Sequence, residues 1–236
     1  MITILNTLKD LLEKEGADLV GFCSLAEIPE MKDKGYNLGI SIAIAVDSVV
    51  INNIKSGVTI EYYNECKKID NKLEELSKIA ANYLKSNGYE TDCWGATDDR
   101  VDEATYTTPL PHKTVAVKSG LGWIGKCSLL ITEKYGSAVR LITVLSNMEC
   151  EDIENEQLNT LCNSCRACVE NCPANAVEGQ NWTMGATREE ILNFRKCRET
   201  ARRIAKERIG IEHTYCGRCI VVCPYTLRYI ERMKAD

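Results

Sequence analysis

The chain has 236 residues, of which 44% are hydrophobic and 27% charged, with a formal charge of −5; this is the composition of a globular protein, not of a disordered one. The acidic balance excludes bulk attraction to nucleic acid or to anionic membranes, and no stretch approaches the roughly 18 apolar residues that a membrane helix needs. The N-terminus lacks the basic start and small-residue cleavage site of a signal peptide, so the sequence predicts a cytoplasmic protein with no membrane partner.

Apolar positions at Ile4, Leu5, Leu8, Leu11 and Leu12 predict a helix over 3–15, closed by Gly16. "ADLVGFCS" reads as a strand. "GISIAIAVDS" alternates through Ile40, Ile42, Ile44 and Val46, and its intervening residues are small, which predicts a central strand covered on both faces. The longest helix signal runs from Ile60 to Ser86, with Tyr62, Cys66, Ile69, Leu73, Leu76, Ile79, Tyr83 and Leu84 on one stripe and Asn87-Gly88 ending it. "YETDCW" reads as another strand, and the polar loop after it is long enough to suggest a functional segment. Helix, strand, strand, long helix, strand is an α/β layer.

"SGLGWIGKCSLL" (119–130) matches two phosphate-binding patterns at once. Gly120, Gly122 and Gly125 spell G-x-G-x-x-G, and Gly120 to Lys126 spell G-x-x-x-x-G-K with Cys127 where a P-loop has Ser or Thr. Both patterns require a helix after the glycines, whose N-terminal amides hold the phosphate. Here "CSLLIT", a polar turn and "AVRLITVLS" follow and predict a β-hairpin, so the nucleotide reading fails. Two readings remain: glycines that let a sharp helix-to-strand turn pack closely, or glycines that leave room for a large flat ligand.

Thirteen cysteines in a chain read as cytoplasmic point to metal ligation, because thiols there seldom form structural disulfides. Cys23, Cys66, Cys93, Cys127 and Cys150 are scattered, whereas eight others crowd between 162 and 223. "CNSCRACVENCP" places Cys162, Cys165, Cys168 and Cys172 as C-x2-C-x2-C-x3-C-P, the spacing of bacterial two-cluster ferredoxins. "CGRCIVVCP" adds Cys216, Cys219 and Cys223, and Cys197 stands alone between the runs. Zinc would also use paired C-x2-C units, but it does not need eight cysteines in two runs ending in Cys-Pro. In two-cluster ferredoxins the last cysteine of each run serves the other cluster. That rule predicts one 4Fe-4S cluster on Cys162, Cys165, Cys168 and Cys223, and a second on Cys172, Cys216, Cys219 and Cys197.

The turn GLGWIGK, the two runs in this order and the lone cysteine between them resemble the epoxyqueuosine reductase family, which is similar in turn to the iron–sulfur and corrinoid core of reductive dehalogenases. The resemblance implies a nitroreductase-like α/β domain that binds cobalamin, followed by a ferredoxin-like domain with two 4Fe-4S clusters; we place these at 1–155 and 156–236. It implies reduction of epoxyqueuosine in tRNA, with electrons from a low-potential donor of the ferredoxin or flavodoxin type. It also implies that Gly122, Trp123, Gly125, Lys126, Cys127 and Ser128 border the corrinoid pocket, with Trp123 as a packing anchor. The family's proton-donating aspartate falls on Tyr106, a weaker acid, whose alternative reading is a loop aromatic. His112, just before the glycine turn, is the other candidate catalytic residue, and His213 reads as a surface residue. The chain stops at Asp236 without the family's helical-repeat extension, which counts against tRNA as the substrate.

The basic stretch with Arg195, Lys196, Arg198, Arg202, Lys206 and Arg208 reads as a solvated helix face, or else as a site for RNA or an acidic electron donor. The leading expectation is a corrinoid-dependent iron–sulfur reductase. The alternative is a cobalamin-free ferredoxin-like electron carrier or reductive activator that docks a partner protein. A flavin enzyme is a third reading, weakened by the failed phosphate site.

Overall fold

Helical spacing of Leu5, Leu8 and Leu12 produces the helix that buries them, α1 (Ile2–Lys14), and Gly16, at φ 106°, turns the chain out of it. The structure is a computed structural model that describes residues 2–95, 101–102, 104–150, 153, 159–183 and 185–235. The first strand, β1 (Leu19–Ser24), is followed by the short α2 (Pro29–Asp33) and by β2 (Leu38–Ala45). β1 and β2 pair antiparallel, from Leu19 opposite Ala43 to Ser24 opposite Leu38. β2 is buried from Leu38 to Ala43, as its small intervening residues predict. At Gly39 a Cβ would meet side chains of Leu25, Val115 and Cys23 at 3.0–3.1 Å, so the layer above β2 closes only over glycine.

The Asp47 carboxylate caps α3 (Ser48–Asn53), accepting from the Val49 and Val50 amides at 2.8 and 3.0 Å. A 3-10 turn (Ile54–Ser56) leads into α4 (Ile60–Ser86), which has the limits the sequence predicts. β3 (Thr91–Trp94), α5 (His112–Lys118), β4 (Trp123–Ile124), β5 (Leu130–Ile131) and β6 (Val139–Ser146) come next. The last part of the chain is helical: α6 (Ala167–Glu170), α7 (Arg188–Ile191), α8 (Phe194–Ile209), α9 (Arg218–Val221) and α10 (Pro224–Ala235).

The main sheet has the order β1-β2-β6-β3, with β3 antiparallel to β6. The predicted hairpin between "CSLLIT" and "AVRLITVLS" is therefore corrected. β5 folds back on β4, with Trp123 opposite Ile131 and Ile124 opposite Leu130, and β6 enters the main sheet beside β2. Burial accounts for the exchange: Ile142, Thr143, Val144, Leu145 and Ser146 are all buried, so β6 needs an inner position that a two-strand ribbon cannot supply.

The chain divides into two compact units, each built from several segments. One comprises Met1–Ile44, Ile69–Leu121 and Arg140–Leu158; the other comprises Ala45–Lys68, Gly122–Val139 and Asn159–Asp236. The sequence places a single boundary at 155/156, which lies outside the described residues. The first unit holds a core of Cys23, Leu25, Met31, Trp94, Leu110, Val115 and Leu145. In it the Arg140 guanidinium grips both carboxylate oxygens of Asp70 at 2.8 Å, which compensates a largely buried acid. In the second unit, the Tyr229 hydroxyl donates to the Val46 carbonyl at 3.1 Å and the Arg208 Nε to the Val58 carbonyl at 3.2 Å. These bonds tie the early segment 45–68 to the C-terminal helices.

Burial pushes the Cys23 thiol from 9.0 up to about 11. The fold thus favours the neutral thiol, and its stabilising effect is complete below about pH 9 and lost as pH rises through 11. Two pKa units set a ceiling of about 2 to 3 kcal/mol. Denaturant unfolding at pH 8 and at about pH 10.5 should show a smaller alkaline loss for Cys23→Ala than for the wild type, and equal losses would show that this thiol is not responsible.

Candidate functional site: the cysteine cavity

Two short turns gather seven cysteines of the second unit. In the first run the Cys165 amide donates to the Cys162 carbonyl at 2.8 Å, α6 follows, and the Cys172 amide donates to Val169 at 3.4 Å. The second run is built alike: Gly217, at φ 73°, opens α9, and the Cys223 amide donates to Ile220 at 3.2 Å. In both runs a proline follows the last cysteine and breaks off the turn. At Gly217 a Cβ would overlap Ile54, so the segment 45–68 packs directly beneath the second run.

Cys162, Cys165, Cys168 and Cys223 all line one cavity of about 190 Å³. Burial raises the Cys223 thiol, and the neighbouring Cys162 and Cys168 add to the rise. Cys197 is on the first turn of α8, whose Ala201 and Ala205 are buried one and two turns further on. The Asn193 side chain caps this helix, accepting from Lys196 at 3.1 Å. Burial pushes the Cys197 thiol up to about 11, with further contributions from Cys172 and Cys216 beside it; Cys216 is raised by burial and by Cys172 in the same way. The structure thus brings together Cys162, Cys168 and Cys223 on one side, and Cys172, Cys197 and Cys216 on the other. Cys219 lies between the groups, lining the cavity and touching Cys127.

Such groups of half-buried thiols suit iron–sulfur clusters. As thiolates they would repel one another at these distances, and bound iron removes that repulsion. The Ala176 amide already points at the Cys172 sulfur, at 3.4 Å, an arrangement that stabilises a thiolate.

The glycine motif belongs to this cavity. Gly120, at φ 71°, ends α5 in a Schellman cap, with the Gly120 amide bonded to Val117 at 3.0 Å and the Leu121 amide to Ala116 at 3.0 Å. No helix follows. The Gly125 amide instead donates to Leu129 at 2.9 Å and the Ser128 amide to Gly125 at 2.8 Å, closing a tight hairpin loop with Ser128 at φ 60°. A Cβ on Gly122 would overlap the Ile131 carbonyl oxygen, and one on Gly125 would overlap the Ile131 side chain. The glycines therefore serve close packing of β4 on β5. Trp123 is 1% exposed and meets Tyr225 edge-on at 4.8 Å, in a cluster with Ile131, Cys162 and Cys223.

Lys126 and Cys127 sit on the hairpin loop and line the cysteine cavity. Lys126 is 5% exposed, and its Nζ donates to the Asn163 carbonyl at 2.7 Å. The hydrogen bond with Cys168 lowers the Cys127 thiol, but the bond with Cys219 and complete burial outweigh it and hold the thiol well above its ordinary value. Cys127 stays neutral and touches Cys168 of the first group and Cys219 between the groups. Of the six turn residues that the resemblance assigns to a corrinoid pocket, Gly122 and Gly125 face Ile131, and Lys126 and Cys127 line the cysteine cavity.

The two catalytic candidates lie in the first unit. His112 has both ring nitrogens engaged, Nδ1 with the Thr143 hydroxyl at 2.8 Å and Nε2 with the Gly95 carbonyl at 3.0 Å. This pairing suits a neutral ring protonated at Nε2 and leaves neither nitrogen for a substrate. Tyr106 is 36% exposed at φ 53°, on a turn where the Asp102 carboxylate accepts from the Ala104 and Thr105 amides at 3.0 and 2.7 Å. A left-handed tyrosine costs about 1 kcal/mol or more. His213 is half-buried, stacked 3.9 Å from Tyr215 and edge-on to Tyr63, so it is not the surface residue that the sequence suggests. Several of the basic residues are tied down as well: Arg202 and Lys206 pair with Glu212, and Arg208 reaches Val58.

Residues 161–226 match the 4Fe-4S double cluster binding domain. The chain is 32% identical over 145 residues to the epoxyqueuosine reductase of Listeria monocytogenes serovar 1/2a (strain ATCC BAA-679 / EGD-e), an alignment covering 59% of this chain and 37% of that protein. It spans only about a third of the length of the curated relatives it matches. Among solved structures it shares its fold with a reductive dehalogenase described as suggesting a mechanism for B12-dependent dehalogenation, at TM-score 0.72 and 17% identity over 96% of this chain and 33% of that one. It also shares the fold of an epoxyqueuosine reductase solved with an epoxyqueuosine-modified tRNA stem loop, at TM-score 0.63 and 19% identity over 96% and 66%. The similarity to epoxyqueuosine reductases and the relation to reductive dehalogenases are both as the sequence implies.

If Gly122 is indispensable for the hairpin, Gly122→Ala should lower the melting temperature by the equivalent of about 1–3 kcal/mol and weaken iron retention after anaerobic reconstitution. Wild-type melting and iron content in the variant would refute that role.

Proposed function

We propose that the protein is an iron–sulfur oxidoreductase resembling epoxyqueuosine reductase. It takes electrons from a low-potential donor of the ferredoxin or flavodoxin type and passes them through two 4Fe-4S clusters to a bound cobalamin, for reduction of a small or RNA-borne substrate. The cavity that gathers Cys162, Cys165, Cys168 and Cys223, inside a segment matching a double-cluster domain, carries this reading. Those four would hold one cluster; Cys172, Cys197, Cys216 and Cys219 would hold the other. The clusters would supply one-electron transfer at low potential. The chain's own residues would fix the thiolates on short turns, cross-brace the two runs and give the first cavity an apolar wall of Ile131, Leu161 and Tyr225.

Cobalamin enters because the chain shares its fold with a B12-dependent dehalogenase; bound, it would supply a strongly reducing metal centre. This reading keeps Gly122, Trp123, Gly125, Lys126, Cys127 and Ser128 at the edge of its pocket, although Ile131 fills the space beside the two glycines and Lys126 and Cys127 line the cysteine cavity. In this reading Tyr106 is the proton donor, while His112 positions the loop at Gly95 through its two hydrogen bonds. The filled glycine turn favours one second reading, a cobalamin-free carrier or reductive activator that docks a partner protein.

Titrating the anaerobically reconstituted protein with hydroxocobalamin separates the two. The first reading expects a spectral change and cobalt retained through gel filtration in near one-to-one ratio; no retained cobalt leaves the carrier. For the ligands, Cys197→Ala and Cys172→Ala should damage the same cluster in low-temperature EPR of the reduced protein, and Cys162→Ala the other. Two intact cluster signals in Cys197→Ala would refute the ligand assignment.

A further inference from the structure

Two charged side chains are buried among the described residues, Asp70 and Lys126. Asp70 has the Arg140 guanidinium. Lys126 has only a backbone carbonyl, that of Asn163, and among the described residues no carboxylate pairs with it. A buried ammonium without a counter-charge is costly, so a negative partner is to be expected on the side it faces. It faces the cavity lined by Cys162, Cys165, Cys168, Cys219 and Cys223, and its charge acts on the Cys168 thiol. Four thiolates around a 4Fe-4S core carry net negative charge, and reduction adds one more.

We propose that Lys126 is the buried counter-charge of the cluster held by Cys162, Cys165, Cys168 and Cys223, and that it makes this cluster the more easily reduced of the pair. The inference rests on the double-cluster reading above. In the step concerned, a one-electron donor loses one electron and the cluster gains it; no bond forms or breaks, and Lys126 keeps its proton. A fixed, buried positive charge stabilises the added electron far more than an exposed charge does. Beside the other cysteine group the positive charge acting on Cys216 is that of Arg218, which is half-buried and bonded to Asn171 at 3.3 Å. Solvent screens that guanidinium, so the two sites differ in kind. Electrons entering at the cluster of Cys172, Cys197, Cys216 and Cys219 would then settle at the one beside Lys126, giving the pair a direction. The sequence offers no such asymmetry, because the two cysteine runs read as near equivalents.

The test is an EPR-monitored redox titration of the full chain, with both clusters reconstituted anaerobically and dithionite as the reductant. Lys126→Met and Lys126→Gln should each lower the midpoint of one cluster by at least tenfold in its reduced-to-oxidised ratio, which is about 59 mV for one electron. The affected signal should be the one lost in Cys162→Ala, and Lys126→Arg should stay within about twofold of the wild type. If both neutral variants lose that cluster's iron while Lys126→Arg retains it, the same charge dependence is shown by retention. Unchanged midpoints, equal shifts in both clusters, or a shift confined to the signal lost in Cys197→Ala overturn the proposal. Wild-type protein that takes up only one cluster overturns the double-cluster reading itself, a result distinct from all of these.

Discussion

Concentrating thiols that must ionise inside one small unit is the constraint on which the rest of the structure depends. Each thiolate formed without iron would face others at close range, so burial and neighbours push Cys197, Cys216 and Cys223 toward the neutral form. The fold answers with local scaffolding that does not rely on the metal. Two short turns hold four and three cysteines by backbone bonds, prolines stop both turns, and a capped helix delivers Cys197 from elsewhere in the chain. Exchange of the last cysteine between runs would brace one turn against the other. The bracing already visible in the protein is the packing of Gly217 against Ile54 and of Gly136 against Thr226.

That scaffold explains why the second unit is not one continuous stretch of chain. The cysteine segment alone is largely polar and short of apolar surface, and a small segment of this kind cannot bury enough to hold itself together. It recruits Ala45–Lys68 and Gly122–Val139 as flooring. The recruited pieces supply Ile54 beneath the second run and Ile131 beside the cavity, and Val46 accepts the Tyr229 hydroxyl.

Local pattern accounts for what was legible. The limits of α4, the central place of β2 and the pairing of cysteines into two runs all follow from spacing within ten or twenty residues, where periodicity and turn chemistry speak directly. The partner of β5 was not legible. Its two residues are compatible with either neighbour, and the choice depends on β6 being buried on both faces, a property of the sheet and not of the hairpin. The recruited segments were hidden for a similar reason, since Ile54 and Val46 read as ordinary apolar positions. The need for the glycines was hidden in a more specific way. Gly122 and Gly125 are required, but by the carbonyl and side chain of Ile131 six to nine positions later, and no fingerprint of the motif encodes that contact.

Once the hairpin is read as packing, the chemistry of its loop changes owner. Steric need fixes the glycines, and the β4–β5 pairing then fixes which way the intervening residues point. Lys126 and Cys127 are thereby placed in a cavity where neither would be tolerated without a partner. An ammonium there needs negative charge; a neutral thiol there donates its one S–H toward the Cys219 sulfur while it accepts from Cys168. The same backbone constraint that defeats a phosphate site, a strand where a helix should begin, thus creates a polar edge suited to reduced iron–sulfur clusters. The resemblance to a nucleotide loop and the polar lining of the cysteine cavity have one cause, a turn so tight that only glycine closes it and so buried that whatever it carries must be electrostatically matched.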